Sequence, residues 1–303
     1  MNGLMFQPSP VRTVLTDDPA DILSFAADAA EKGGAALATL VEIRGGAARR
    51  LGAHVAVSSS GSFCGYVSGG CVEAAVAAEA LAAIAEGRDR MIKYGEGSPF
   101  FDIVLPCGGG ITIAVHVIRN AAPLRSVVDG VQQRRSATLR YSPSDQQLLA
   151  AAGGTRSGWE DEAFMIAYHP RTRVVVSGNN LEANAVASVA KVSGYDVISC
   201  EEAADIADII DSATAVVMLH HDLEVEDKAL HAALRSQAFY IGALGSTRTH
   251  RRREQRLKTA GWSGVEIGRI KAPIGFFGPT RDSSSLALSV VADIAAARLV
   301  AHG

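Results

Sequence analysis

Two short segments of the sequence each place one cysteine directly beside consecutive glycines. The first is Gly69-Gly70-Cys71 and the second is Cys107-Gly108-Gly109. Glycine lets a ligand approach the backbone closely and leaves the N–H groups accessible. A thiol among such donors is shifted toward the thiolate, which attacks electrophiles and binds metals. The two segments together predict a pocket for an anionic small molecule that carries a metal.

Two charged residues accompany these cysteines. Arg49 lies in the glycine-bounded loop 45–52, where a guanidinium suits phosphate binding. Glu73 follows Cys71 closely, and it either complements the positive end of a helix or acts as a general acid or base. The alternatives are a solvated surface arginine and, for Cys71 and Cys107, a small buried hydrophobic side chain.

The elements that position these residues form a first domain, predicted at 1–120. Apolar spacing predicts a helix over 21–32, and strands are predicted at 36–43, 54–58, 91–94 and 111–118. An alanine-rich helix over 72–86 begins right after Cys71, so its N–H groups and dipole would face an anion bound at the glycines. The pattern weakens over 121–170, which is predicted to be a linker with short connecting elements.

Residues 171–303 alternate strands and helices regularly. Strands are predicted at 174–177, 196–199, 215–219 and 239–242, and helices at 181–192, 203–210, 225–235, 247–260 and 283–299. This alternation indicates parallel strands joined by right-handed crossovers. The fold class is therefore α/β: a mixed α/β domain followed by a Rossmann-like, doubly wound parallel-sheet domain.

The second domain carries a modified dinucleotide fingerprint. Gly178 keeps the first glycine position after the first strand, but Asn180 and Ala183 occupy the second and third. Glu201 follows the second strand at about the 20-residue distance expected for a ribose-binding acid. The positions favour NAD(P), whereas the side chain of Asn180 stands where the pyrophosphate must come close. The alternative is a Rossmann scaffold without its usual ligand.

Two more segments lie at predicted strand ends of this sheet. His220-His221-Asp222 follows the third strand, where an imidazole acts as base, donor or metal ligand, or only caps the strand. Gly245-Ser246, with Arg248, opens a helix after the fourth strand and forms either an anion site or a tight turn capped by serine.

Composition limits the class of protein. The chain has 303 residues, 48% hydrophobic and 20% charged, with a net charge of −3. These values predict a globular protein with no general attraction to nucleic acid or anionic lipid, and the basic cluster 248–253 is predicted to be a solvated helix face. The four cysteines follow no common zinc spacing, and no signal peptide or membrane span is predicted. A cytoplasmic location with reduced thiols is expected.

The motifs resemble those of the XdhC family, which comprises maturation factors of xanthine dehydrogenase and carbon monoxide dehydrogenase. The resemblance rests on seven segments: Val67-Ser68-Gly69-Gly70-Cys71-Val72-Glu73, Cys107-Gly108-Gly109, 219–222, Tyr240-Ile241-Gly242-Ala243-Leu244-Gly245-Ser246, Arg248-Thr249-His250, Pro273-Ile274-Gly275 and Ala287-Leu288-Ser289. It implies a non-catalytic chaperone that binds the molybdenum cofactor (molybdopterin), protects it during sulfuration and delivers it to an apo molybdenum hydroxylase. A cysteine desulfurase is a further implied partner, and a homo-oligomer is expected.

The resemblance also assigns roles to residues. It places Cys71 and Cys107 near the metal and Arg49 with the glycine loops on the phosphate. Departures concentrate elsewhere: Asn179-Asn180 replaces a glycine–histidine pair, and Glu201 replaces an aspartate. The resemblance therefore supports cofactor handling more than dinucleotide binding. The competing hypotheses are an NAD(P)-dependent oxidoreductase with His221 as proton donor, and a zinc enzyme that uses the two histidines and a cysteine.

Overall fold

The structure is a computed structural model that describes residues 8–96, 108–151, 154, 156–200 and 206–302. The chain divides into two compact units, Met1–His169 and Pro170–Gly303.

The described part of the first unit is built on a six-stranded sheet. Its strands are β1 (Val11–Val14), β2 (Ala35–Arg44), β3 (His54–Ser58), β4 (Ser62–Gly65), β5 (Arg90–Gly95) and β6 (Gly110–Val117), in the spatial order β1-β4-β3-β2-β6-β5. Helix α1 (Pro19–Gly33) covers one face and α2 (Glu73–Glu86) the other. Because β2 alternates between the two cores, with Leu37 facing α1 and Ala38 facing α2, its sequence is apolar almost throughout.

Strand direction places several loops of this sheet together. β1 runs parallel to β4, whereas β3 with β4, β2 with β3, β2 with β6, and β5 with β6 are antiparallel. The carboxyl ends of β1, β2, β4 and β5 and the amino ends of β3 and β6 therefore lie at one edge. We call this the loop edge. It carries the segments that follow Arg44 and Gly65 and the one that precedes Gly110.

A second, antiparallel sheet completes the first unit. After α3 (Ala122–Gln132) come β7 (Ala137–Ser142), β8 (Gln147–Ala151), β9 (Gly158–Glu160) and β10 (Ala163–Tyr168), in the order β8-β7-β10-β9. Phe164 and Ile166 share a core with α1. His54 Nε2 lies 2.6 Å from the Tyr168 hydroxyl and its Nδ1 lies 3.0 Å from Thr39 Oγ1. The segment predicted as a linker thus supplies core side chains to the first unit.

The second unit is a parallel sheet, as predicted. It contains β11 (Arg173–Ser177), α4 (Leu181–Val192), β12 (Asp196–Cys200), β13 (Thr214–Met218), α5 (Leu223–Arg235), β14 (Tyr240–Ala243), α6 (Thr247–Thr259), α7 (Gly264–Ile267), β15 (Ile270–Lys271) and α8 (Ser283–His302). The order β12-β11-β13-β14-β15 is doubly wound, with the switch point between β11 and β13. A helix was predicted over 203–210; its described part is one 3₁₀ turn, Ala207–Ile209, and residues 201–205 lie outside the described ranges.

Helix α8 is long and apolar enough to span a membrane by length and composition. In this fold Ala287, Val290 and Ile294 are buried against the parallel sheet. Asp293 accepts a hydrogen bond of 2.8 Å from the Tyr240 hydroxyl of β14. These contacts bury one side of α8 in the core of the second unit, while Leu288, Leu299 and Val300 are exposed.

Candidate functional site

Glu73 anchors the loop that carries Cys71. This cysteine loop, residues 66–72, joins β4 to α2. The Glu73 side chain turns back into the loop and accepts hydrogen bonds from Val67 N at 3.2 Å and from Ser68 N at 2.8 Å. Ser68 Oγ lies 2.9 Å from each carboxylate oxygen. Because Glu73 is buried and accepts hydrogen bonds from two amides and the hydroxyl of its own loop, these contacts support a role as a structural anchor.

Ser68 continues this anchoring toward the glycines. Its Oγ accepts hydrogen bonds from Gly70 N and Cys71 N, both at 3.2 Å. The sequence suggested that the amides of this segment would face a bound anion. The amides of Gly70 and Cys71 instead donate to the Ser68 hydroxyl. Gly70 has φ 107°, which favours glycine, and a Cβ there would meet no described atom within 4 Å. Gly69 and Gly70 are exposed.

The described cysteines differ sharply in exposure. Cys71 is exposed at the tip of the cysteine loop. Cys64 in β4 is buried, and burial raises the pKa of its thiol to about 12. Cys200 in the second unit is half-buried, and burial raises the pKa of its thiol as well. Cys107 lies outside the described residues. Cys71 is therefore the most exposed thiol of the described part of the chain.

Arg49 lies beside the cysteine loop. It belongs to the arginine loop, residues 45–53, between β2 and β3. Its Nε donates to the Ser68 carbonyl at 3.3 Å, and its Nη1 lies 3.1 Å from an Asp17 carboxylate oxygen. About a third of the Arg49 side chain stays exposed (34%). The structure thus brings Arg49 and Cys71, predicted from separate segments, to neighbouring loops on one edge.

Tyr66 and Arg12 reinforce this arrangement, and the sequence reasoning missed both. The guanidinium carbon of Arg12 lies 4.1 Å from the Tyr66 ring centroid, and that of Arg49 lies 5.2 Å from it. Arg12 also donates to the Gly65 carbonyl at 3.0 Å. Cations are attracted to an aromatic face, so Tyr66 holds two guanidinium groups near the cysteine loop. An aromatic residue inside the glycine motif was the available signal.

The third loop of this edge contains Gly108 and Gly109. Gly109 is buried, and a Cβ on it would collide with the carbonyl oxygens of Arg44 and Gly46. Gly108 is exposed, and a Cβ there would meet no described atom within 4 Å. Gly109 therefore packs against the arginine loop, which in turn contacts the cysteine loop. Gly109 and these two loops form one continuous surface.

Arg44 links the two strand ends from which that surface extends. Its Nη1 donates to Glu42 at 2.7 Å and to Thr112 Oγ1 at 2.8 Å, which joins the end of β2 to the start of β6. A hydrogen bond from Thr112, together with the Arg44 charge, lowers the pKa of Glu42 against the opposing effect of burial. Arg44 is a positioning residue for the arginine loop.

In the second unit, side chains bridge the switch point. Ser177 Oγ at the end of β11 lies 2.8 Å from Nε2 of His220, which follows β13. Asn180 Nδ2 donates to the Leu219 carbonyl at 2.6 Å, while Asn180 Oδ1 accepts from Ala183 N at 2.8 Å and caps α4. Burial, and then the neighbouring His221, lower the pKa of His220. The Asn180 side chain thus occupies the second glycine position of the fingerprint and bonds to the chain itself, which disfavours close approach of a pyrophosphate.

Two of the other predicted residues of this unit cap helices. Asp222 caps α5 through Glu224 N at 2.9 Å, and Ser246 caps α6 through Thr249 N at 3.3 Å. Gly178 and Gly245 both have positive φ, at 145° and 126°. His221 and Arg248 are exposed, and Glu201 lies outside the described residues. Among the residues that the structure describes, no three His, Cys, Asp or Glu side chains are grouped to hold a metal ion.

Comparison with known proteins identifies the family. The model of the XdhC and CoxI family matches residues 29–95, and that of the XdhC Rossmann domain matches residues 174–294. The molybdenum cofactor insertion chaperone PaoD of Escherichia coli (strain K12) is 50% identical over 293 residues, which cover 96% of this chain and 92% of PaoD. The chain belongs to the XdhC and CoxI family. The resemblance predicted from the motifs is confirmed.

A solved structure supports the fold of this XdhC-family chain. A crystal structure described as a xanthine dehydrogenase from Bacillus halodurans matches with a TM-score of 0.71, covering 93% of this chain and 96% of the other. The two sequences are 17% identical, so the likeness concerns the fold alone. The XdhC and CoxI match at 29–95 contains both the arginine loop and the cysteine loop.

Proposed function

We propose that this chain is a molybdenum cofactor insertion chaperone. It takes up the cofactor at the loop edge of the first unit, protects it while a terminal sulfur is installed, and delivers it to an apo molybdenum hydroxylase of the xanthine dehydrogenase type. The cofactor is cargo, not a resident group. We further propose that the protein works in the cytoplasm as a homo-oligomer and receives sulfur from a cysteine desulfurase.

The observation that carries the proposal is the exposed Cys71 thiol on a loop fixed by Glu73 and flanked by Arg49. Molybdopterin combines a soft, sulfur-bound metal with a phosphate, and soft metals favour thiolate ligands while phosphates favour guanidinium groups. The donor set therefore fits this cargo. Full-length similarity to PaoD, itself named a molybdenum cofactor insertion chaperone, supports the same function.

Each residue of the edge has a distinct part in this function. Cys71 contacts the metal end of the cargo, and Cys107, next to Gly108, is the second proposed thiol. Arg49 binds the phosphate, and the exposed Gly69-Gly70 segment lets the cargo approach the backbone. Glu73 holds the loop and makes no contact with the cargo.

The test is cofactor binding by purified variants. The parent chain should bind molybdopterin at about one per chain, and Cys71→Ser should weaken binding by about tenfold or more, because the exposed thiol is lost. Cys200→Ser is the matched control, since Cys200 is half-buried in the second unit. Arg49→Ala should weaken binding of the phosphorylated cofactor more than Arg49→Lys.

Two results would contradict the proposal. Equal affinity of the parent and Cys71→Ser would remove the thiol role. Absence of cofactor from parent protein, when it is isolated from cells that make the cofactor and also loaded in vitro, would remove the chaperone function.

A further inference from the structure

Helix α6 presents a row of arginines without partners. Within the described part of the chain, Arg248, Arg251 and Arg252 are exposed and have neither a salt bridge nor a side-chain hydrogen bond, whereas Arg253 and Arg256 of the same helix pair with Glu226 and Asp227 of α5. The acids of α5 that lie within reach are therefore engaged. We call the row formed by Arg248, Arg251, Arg252 and the exposed Gln255 the arginine face.

Helical geometry places these side chains on one side. At about 100° per residue, the three arginines fall within an arc of about 100°, centred roughly opposite Arg253 and Leu257. Those two residues are each 2% exposed, so they mark the inner side of α6. From Arg248 to Gln255 the face is about 10 Å long.

The inner side holds α6 firmly in place. Arg253 Nη2 donates to Glu226 at 3.0 Å and to the Leu244 carbonyl at 2.8 Å. Arg256 Nη2 lies 2.5 Å from the carboxylate of Asp227. Ser246 caps the amino end of the helix. The arginine face is thus carried by a helix that is fixed on its opposite side.

The charge pattern opposes the intrinsic preference of the helix. Acidic residues stabilise a helix amino end and cations destabilise it. Helices α1, α4 and α5 have acids in the first turn, whereas α6, like α3, has none and places Arg248 there. Interaction with the helix dipole therefore does not account for Arg248 at this position.

We infer that the arginine face is a docking surface for an acidic segment of a partner protein, which under the proposed function is the apo molybdenum hydroxylase. Three carboxylates spaced along a helix or loop of the partner would match the length of the arginine face. Nucleic acid fits less well, because the whole chain has a net charge of −3 and the face offers three cations without an aromatic side chain for base stacking. The inference rests on the proposed function only for the identity of the partner.

The test uses full-length protein and two probes: a fluorescent glutamate-rich peptide, and apo molybdenum hydroxylase from cells that lack the cofactor. The variant Arg248→Gln/Arg251→Gln/Arg252→Gln should bind both probes at least tenfold more weakly, since close charge pairs across an interface contribute to affinity and to association rate. The three corresponding Arg→Lys changes should keep affinity within about threefold, because the charges remain.

A matched control separates local from global charge. Arg88→Gln/Arg140→Gln/Arg281→Gln removes the same charge from three other exposed arginines and should leave both affinities unchanged. Equal weakening in the control, or none in the first variant, overturns the inference. Tighter binding of a single-stranded DNA oligonucleotide than of the peptide, lost in the first variant, overturns it in favour of nucleic acid.

The two proposals fail in different ways. Molybdopterin binding by the first variant should equal that of the parent, because none of the residues proposed to hold the cargo is changed. If the parent binds the peptide through the arginine face but not the apo-hydroxylase, the surface stands and the proposed client is wrong.

Discussion

Replacing Glu73 by alanine should destabilise the first unit and release the cysteine loop. The carboxylate accepts hydrogen bonds from two backbone amides and from the Ser68 hydroxyl, which in turn receives the amides of Gly70 and Cys71. Alanine removes this acceptor. The amides of Val67 and Ser68, both buried residues, are then left without a hydrogen-bond acceptor.

The expected loss follows from those two amides. A buried donor left without an acceptor costs about 1–3 kcal/mol, so the loss of two such acceptors in Glu73→Ala should cost roughly 2–6 kcal/mol. For a unit of this size a loss of about 3 kcal/mol lowers the melting temperature by about 6–12 °C. Glu73→Gln keeps one carbonyl oxygen for the amides and loses only the charge, so it should cost about 1–2 kcal/mol.

Calorimetry of the full-length chain is the suitable assay, because it can separate the transitions of the two units. Glu86→Ala on the same helix is the control: Glu86 forms an exposed pair with Arg90, and its loss should cost less than about 1 kcal/mol. If Glu73→Ala and Glu86→Ala have the same melting temperature, the anchoring role of Glu73 is refuted. Cofactor binding retained by Glu73→Gln would agree with a structural role for the carboxylate.

Three further outcomes are expected. A thiol reagent should modify Cys71 quickly and Cys64 only on unfolding, because Cys64 is buried with a pKa of about 12; Cys71→Ser should remove a fast phase, and its persistence would contradict the assignment. Burial lowers the pKa of His54 to about 3, so the unfolded chain binds the proton first and stability falls below about pH 6.5, by up to about 1.4 kcal/mol per pH unit. Urea midpoints measured against pH should show this fall, and His54→Gln should flatten it. Glu226→Ala should cost about 3–5 kcal/mol in denaturant unfolding because Arg253 stays buried without its counter-ion, whereas the double Glu226→Leu/Arg253→Leu variant should cost less; simple additivity would argue against a coupled pair.

Elements with strong periodicity were predictable from the sequence. Strand β2 is a continuous apolar run because both its faces are buried, and α2 begins close to the predicted residue after Cys71. The doubly wound second unit followed from the alternation of strands and helices. Strand β1 was missed because it is a short edge strand with exposed valines, so burial imposes no clear pattern on it.

The site was predictable by residue type but not by contact. The sequence identified Arg49, Cys71 and the glycines, since each has recognisable chemistry. It could not choose between the roles of Glu73, because a carboxylate at that position can face solvent or turn back to Ser68. The pairing of Arg12 with Tyr66 joins segments far apart in the chain, and only the fold brings them together. The departure of Asn180 from the glycine fingerprint was likewise visible in the sequence, but its hydrogen bond to the Leu219 carbonyl was not.

Under the proposed function, the self-contained bonding of the cysteine loop affects how the cofactor is released. Ser68 and Glu73 hold the loop without help from any guest, so we expect the empty and loaded receptors to share one shape. Such a preorganised site gains little affinity from closing around the cofactor and cannot release it through a conformational change of the loop. Transfer then depends on competition: the recipient protein must bind the metal and the phosphate more tightly than the loop edge does.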